Sequence, residues 1–150
     1  MAASHFQIYS VGEGVGYLVR GGITIGNLFI DDTIVFGKAL VDSYRLEDKT
    51  AYYPRIIFDT KTINEIKKYD DLCSFILQDF DDIFFLNYLS IWHFCGEALY
   101  HGFEKIKIRA KPKLDERMLQ KLNWHKNFIN KQLAFKGEKS RLDTDELIKK

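Results

Sequence analysis

An arginine on a short amphipathic helix is the residue in this sequence best suited to phosphate chemistry. Gly37 ends a β-rich run, and the pattern after it predicts a helix from residue 38 to about residue 51. Residues four apart share a helix face, so Arg45 should point in a defined direction. Its guanidinium is always charged and can hold phosphoryl oxygens through two hydrogen bonds. The alternative is a surface pair with Glu47 or Asp48, which would contribute little.

Arg20 and Arg55 are further candidates for binding an anionic substrate. Each stands beside the start of a predicted strand, at a position where its charge could reach a bound ligand. A structural ion pair is the alternative role for both arginines.

Two acidic clusters invite a metal hypothesis that the sequence does not favour. Asp31 and Asp32 are adjacent at the tip of a predicted hairpin, where neighbouring side chains point to opposite faces. Asp79, Asp81 and Asp82, in LQDFDDIFF, are expected to form a solvated turn, and no loop has EF-hand spacing. We therefore predict no metal site from these carboxylates.

The spacing of cysteines and histidines does not indicate a metal site or a disulfide either. Cys73 and Cys95 are separated by 21 residues without a CxxC motif, so we expect two reduced, buried thiols. No HxxxH or HExxH spacing occurs among the histidines. The four histidines are His5, His93, His101 and His125.

The remaining pattern predicts a mixed α+β organisation. The end of a helix is expected over residues 2–9, and SVGEGVG at residues 10–16 is expected to be a plain connection, not a phosphate loop. A strand is predicted over residues 18–25. Within it, Gly21 and Gly22 indicate either a β-bulge or the close approach of a nucleotide or a facing subunit.

Further elements follow along the chain. Turn residues predict a hairpin over residues 28–36, a strand is predicted over residues 55–59, and Asp115 is expected to cap a last helix. The apolar stripe of that helix should be core or a dimer seam, with His125 at its buried edge. The stripe consists of Leu114, Met118, Leu122, His125, Ile129 and Leu133.

Length and composition exclude several classes of protein. The chain has 150 residues, 46% of them hydrophobic, and a formal net charge of +1. We expect one domain over residues 1–137 and a mixed-charge tail over residues 138–150. The longest apolar runs fall short of the roughly 20 residues of a membrane helix, and the amino terminus does not resemble a signal peptide. With its nearly neutral charge, the sequence predicts a cytoplasmic protein with no nucleic-acid or membrane partner.

Three motifs carry a family resemblance. They are RGGITIG at residues 20–26, FGKALVDSYRLE at residues 36–47 and AYYPRIIFD at residues 51–59, in the order that the family uses. The chain resembles a class III nucleotidyl cyclase homology domain, closest to the bacterial pyrimidine nucleotide cyclases of anti-phage defence. LQDFDDIFFLNYL at residues 77–89 and KLNWHKNFIN at residues 121–130 are similar to outer segments of that family, so the resemblance covers about residues 17–130.

The resemblance implies a fold and an activity. The expected fold is α+β, a ferredoxin-like cyclase half-domain with a mostly antiparallel sheet, helices on one face and further helices at the carboxyl end. Arg45 aligns with the arginine that reaches the triphosphate in the family, whereas Val41 stands where the family has asparagine. The implied activity converts a nucleoside triphosphate, a pyrimidine one by family branch, to a 3′,5′-cyclic nucleotide and pyrophosphate.

The metal-binding half of the family's site is not evident in this sequence. The family's two metal-binding aspartates lie on strands that should precede Arg20, and nineteen residues stand before it. We therefore expect a truncated cyclase domain that is inactive alone, with Mg²⁺ or Mn²⁺ only if another chain supplies those aspartates and otherwise no cofactor. The implied partners are a nucleoside triphosphate and a second copy or companion cyclase chain. The alternative is a non-catalytic binding or assembly module, or a gene remnant, derived from a cyclase.

Overall fold

The computed structural model describes residues 2–11, 16–90, 96–137 and residue 142. Contacts between residues divide the chain into two compact units. One unit comprises Arg20–Ser90, and the other combines Met1–Val19 with Ile91–Lys150. The prediction of one domain over residues 1–137 did not anticipate this division.

The described residues form helices and short strands, which confirms the predicted α+β class. In chain order the elements are α1 (Ala2–Val11), β1 (Gly21–Ile23), β2 (Phe29–Ile30), β3 (Val35–Phe36), α2 (Lys38–Thr50), β4 (Ile56–Phe58), α3 (Thr60–Ile66), α4 (Asp70–Cys73), β5 (Ile76–Gln78), β6 (Phe84–Leu86), α5 (Gly96–Ala110) and α6 (Glu116–Phe135). Among these described helices, none has the length and apolar character needed to cross a membrane.

A four-stranded sheet forms the centre of the Arg20–Ser90 unit. Its strand order is β1-β4-β6-β5, with β1 parallel to β4 and the other two pairs antiparallel. Ile57 of β4 lies opposite Gly22 of β1 and Phe85 of β6, and all three residues of β4 are buried. The prediction of a mostly antiparallel sheet is confirmed. Within the described strands, β1 and β5 are the two edges.

Helix α2 lies directly on the middle of β1, and Gly22 makes this packing possible. A Cβ atom on Gly22 would lie 2.5 Å from the carbonyl oxygen of Ser43 and 3.1 Å from Cβ of Leu46. The hydroxyl of Ser43 donates to the Gly22 carbonyl at 2.9 Å. The register with β4 is regular, so no bulge is present at Gly22. The close approach at this glycine is made by a helix of the same unit.

Strands β2 and β3 form the predicted hairpin. Phe29 lies opposite Phe36, with ring centroids 4.8 Å apart. The apolar side chains of this ribbon are exposed, and we call them the apolar hairpin surface: Phe29, Ile30, Ile34, Val35 and Phe36. Several large apolar side chains exposed on one short ribbon are unusual on a soluble monomer.

The second unit is helical, and the predicted last helix is confirmed as α6. The carboxylate of Asp115 accepts a hydrogen bond from the amide of Met118 at 2.7 Å, which caps the helix as expected. Leu122, Ile129 and Leu133 of the predicted stripe are buried.

His125, predicted at the buried edge of the stripe, is fully buried. Its ring is stacked parallel to that of Phe103, with centroids 6.2 Å apart. Burial lowers the pKa of the imidazole to about 3, because the charged form would be removed from water. The side chain is therefore a neutral component of the core at physiological pH.

One residue of the predicted tail is described. Leu142 is buried, and its carbonyl accepts a hydrogen bond from Nδ2 of Asn130 at 3.1 Å. The remainder of the predicted tail lies outside the described residues. The same is true of His93, of Cys95 and of residues 12–15 in the predicted connection.

Candidate functional site

A polar cleft opens where the two parallel strands end. It lies at the carboxyl ends of β1 and β4, beside the first turn of α2, and its volume is about 250 Å³. Ligands of open α/β sheets usually bind at the carboxyl ends of parallel strands. The polar residues that line the cleft are Thr24, Asn27, Lys38, Asp42, Asp59 and Lys61. We call it the Lys38–Lys61 cleft.

Asp59 is both a wall of the cleft and the cap of α3. Its Oδ1 accepts from the amide of Thr62 at 2.7 Å, and its Oδ2 accepts from the hydroxyl of Thr24 at 2.5 Å. Burial alone would raise the pKa of this carboxyl, but the hydrogen bonds from Thr24 and Thr62 outweigh it and hold the pKa below its usual value. Asp59 is therefore ionised at neutral pH, and both of its oxygens already hold donors from the protein.

Two lysines reach the cleft from different helices. Nζ of Lys61, in α3, donates to the carbonyl of Ile25 at 2.9 Å. Nζ of Lys38, in α2, pairs with the carboxylate of Asp42 one turn along the helix. An ammonium group has three N–H donors, so each lysine keeps donors that the described residues do not accept.

Arg45 is exposed on α2, on the same helix face as Lys38 and Asp42. Spacings of three and four residues place these side chains on one stripe, and Arg45 lies about 10 Å along the axis from Lys38. Arg45 does not line the cleft. Within the part of the chain that the structure describes, Arg45 forms no ion pair. Glu47, one of the two acids considered as its surface partner, is held by Arg20 instead.

Arg20 joins the start of β1 to the end of α2. Besides its ion pair with Glu47, it donates to the carbonyl of Ala51 at 3.2 Å. These contacts correspond to the structural role considered as the alternative to substrate binding. Arg20 is not a lining residue of the cleft.

Arg55 is completely buried and serves the fold. Its terminal nitrogens pair with the carboxylates of Asp79 and Asp81, and its guanidinium lies over the rings of Tyr53 and Phe85 at 5.4 and 5.7 Å. The predicted acidic turn is present between β5 and β6, and Asp79 and Asp81 in it remain partly exposed while they pair with Arg55. They compensate a buried cation, as such a charge requires. We therefore do not include Arg55 in the candidate site.

The described residues do not fit a divalent-cation site. No group of three or more His, Cys, Asp or Glu side chains among them is placed to hold a metal ion. Asp31 and Asp32 are exposed at the hairpin tip, as predicted. Cys73 is a free thiol but is exposed, contrary to the prediction, because α4 buries none of its residues.

Sequence reasoning did not identify the Lys38–Lys61 cleft. The usable signal was positional, because Thr24 and Asp59 each directly follow the last residue of a strand. Parallel pairing of β1 with β4 places those two strand ends side by side. The pairing itself is not evident from the sequence, since a hairpin and α2 lie between the two strands.

Comparisons with known proteins identify no relative of this chain. No protein-family model, no curated protein and no solved structure matches it. The resemblance to nucleotidyl cyclases therefore rests on the sequence motifs alone.

Proposed function

We propose that this chain is a nucleotidyl cyclase-like protein that offers Arg45 to the triphosphate of a bound nucleotide. The observation that carries the proposal is the exposed position of Arg45, which has no ion-pair partner within the described residues. Helix α2 is fixed on β1 through the contact at Gly22, so the arginine projects from a firmly positioned element. A guanidinium without an ion-pair partner among the described residues can bind an anionic ligand.

The proposed role of Arg45 is electrostatic. In cyclisation the ribose 3′ oxygen attacks the phosphorus nearest the ribose, a new P–O bond forms and pyrophosphate leaves with the electron pair of the broken bond. Negative charge increases on the phosphoryl oxygens, and a guanidinium can stabilise it through two charge-assisted hydrogen bonds. Val41, one turn before Arg45, supplies no polar group to assist.

Deprotonation of the attacking hydroxyl is not assigned to this chain. Its described residues do not fit a divalent-cation site, and no step of the proposal uses a metal bound to them. We propose that metal-binding aspartates, with Mg²⁺ or Mn²⁺, come from a companion cyclase chain. A second copy of this chain is proposed only as an assembly partner, because it would offer the same described residues. The pyrimidine preference, the role in antiviral defence and the cytoplasmic location are parts of the same proposal and rest on the motifs.

A product assay tests the need for a partner. The purified chain, incubated with each of the four ribonucleoside triphosphates and Mg²⁺ or Mn²⁺, is expected to form no cyclic nucleotide. Cyclic nucleotide detected by chromatography would show that the chain is a complete catalyst and would overturn this part of the proposal.

A binding assay tests Arg45 itself. Arg45→Gln is expected to weaken triphosphate binding about tenfold, measured by calorimetry, because two charge-assisted hydrogen bonds are lost. Lys68→Gln is the matched control, since it removes an exposed positive charge of the same unit that pairs with Glu65 and lies outside α2. Equal effects of the two substitutions, or no binding by the unaltered chain, would contradict the role of Arg45.

The alternative function is a binding or assembly module derived from a cyclase. Two observations favour it, namely the apolar hairpin surface and the position of β1 at an edge of the described sheet. An edge strand leaves backbone groups that can pair with another chain. This alternative predicts that the purified protein associates with itself or with a companion chain.

A further inference from the structure

We infer that the Lys38–Lys61 cleft binds a phosphate group of a small anionic ligand. This inference goes beyond the proposed function, because Arg45 does not line the cleft. It also holds whether or not any cyclic nucleotide is formed.

The carboxylates of the cleft are already occupied by the protein. Asp59 accepts hydrogen bonds from Thr24 and Thr62 on its two oxygens. Asp42 is paired with the ammonium group of Lys38. A cation entering the cleft would therefore compete with contacts that stabilise the fold, and it would also meet two ammonium groups.

The donors of the cleft, in contrast, are only partly used. Among the described residues, Lys61 makes one hydrogen bond, to the carbonyl of Ile25. The amide of Ile25 is itself held by the hydroxyl of Thr62 at 3.0 Å. These bonds fix Lys61 and the segment after β1 against each other. The side chain of Lys38 is 79% exposed and can turn from Asp42 towards a ligand without uncovering a buried charge.

A phosphate group fits this combination of charge and shape. Two ammonium groups from different helices act as point charges, and lysine is a common phosphate ligand in that role. Six of the eight lining residues are polar, so a purely apolar ligand would leave their groups without partners. Inorganic phosphate, pyrophosphate and the phosphates of a nucleotide share this chemistry.

The test is a titration of the full chain with inorganic phosphate, pyrophosphate and a nucleoside triphosphate. Calorimetry and the NMR shifts of residues around the cleft measure the binding. Lys38→Met and Lys61→Met are each expected to weaken binding about tenfold. Asp42→Asn is expected to strengthen it roughly threefold, because Lys38 loses its competing carboxylate. Lys68→Gln, which removes a lysine outside the cleft, is the matched control and should leave binding unchanged.

The three ligands separate the possible sources of the phosphate. Lysine-dependent binding of phosphate or pyrophosphate supports a site for a free anion, and lysine-dependent binding of the triphosphate alone supports a site for part of a nucleotide. Arg45→Gln should leave the binding of inorganic phosphate unchanged, so the cleft and the Arg45 proposal fail independently.

Several results would overturn the inference. They are the absence of binding for all three ligands at about 10 mM, binding that survives both lysine substitutions, and weaker binding in Asp42→Asn, which would show that Asp42 does not compete with the ligand for Lys38. Lys38→Arg and Lys61→Arg keep the positive charge and should therefore keep phosphate binding. They decide whether the loss of charge or a loss of stability weakens binding in the methionine variants.

Discussion

Arg55 carries a positive charge at a position with no solvent exposure. Its ion pairs with Asp79 and Asp81 offset the free-energy cost of burying that charge. A buried ion pair gains little over an apolar replacement, but removal of one partner leaves a charge without compensation. Arg20 makes a comparable pair with Glu47 on side chains that are partly exposed, where water can replace the partner. At the scale of single residues, burial therefore separates two arginines that the sequence presented as equivalent.

The contrast gives a matched pair of substitutions. Arg55→Met is expected to lower the free energy of unfolding by about 3 kcal/mol, since Asp79 and Asp81 lose the cation between them. Arg20→Met is the control and should cost about 1 kcal/mol or less. Urea denaturation followed by circular dichroism measures both, and equal losses in the two variants would contradict a structural role specific to Arg55.

At the scale of elements, the contact of α2 with β1 depends on one missing side chain. Gly22→Ala is expected to destabilise the protein by about 3 kcal/mol, because its Cβ would meet the Ser43 carbonyl oxygen at 2.5 Å. Gly21→Ala is the control, since its Cβ would make only ordinary contact with the side chain of Ile56 at 3.5 Å. Thermal unfolding distinguishes them, and a stable Gly22→Ala variant would show that α2 does not sit this closely on the strand.

Elements that depend on nearby residues could be predicted from the sequence. The hairpin over residues 28–36, helix α2 after Gly37 and the cap at Asp115 all follow from residues within a few positions of each other. Helix α5 was not predicted, although the sequence carries its signal. The buried residues of this helix recur at steps of three or four, which is the spacing of one helix face. They are Leu99, Phe103, Ile106 and Ala110.

The partners of each element could not be predicted in the same way. Strand order β1-β4-β6-β5 brings together segments that are distant in sequence, and no local pattern specifies it. The ion pairs of Arg55 and the Lys38–Lys61 cleft both depend on that order. For the candidate site, the sequence indicated that Arg45 would have a defined direction on a helix, but it did not indicate the cleft near the start of that helix.

At the scale of the whole molecule, the apolar hairpin surface is expected to drive self-association at micromolar concentration. Ile30→Lys should weaken it about tenfold or more, because burying an isoleucine contributes about 1.5–3 kcal/mol. Ile108→Lys is the matched control, since Ile30 and Ile108 are 69% and 70% exposed and Ile108 lies on α5. Sedimentation velocity measures the association. A monomeric unaltered chain, or equal effects of the two lysines, would count against the hairpin as an assembly surface.

Asp59 stands in the wall of the cleft and also in the first turn of α3. A metal ion at Oδ1 of this carboxylate would compete with the Thr62 amide for that oxygen, and loss of a cap of this kind costs about 1 kcal/mol. A phosphate group held by the two lysines, as proposed, would leave that bond intact. The cap of α3 thereby counts against a cation at Asp59, and this bias is set by the fold before any ligand arrives.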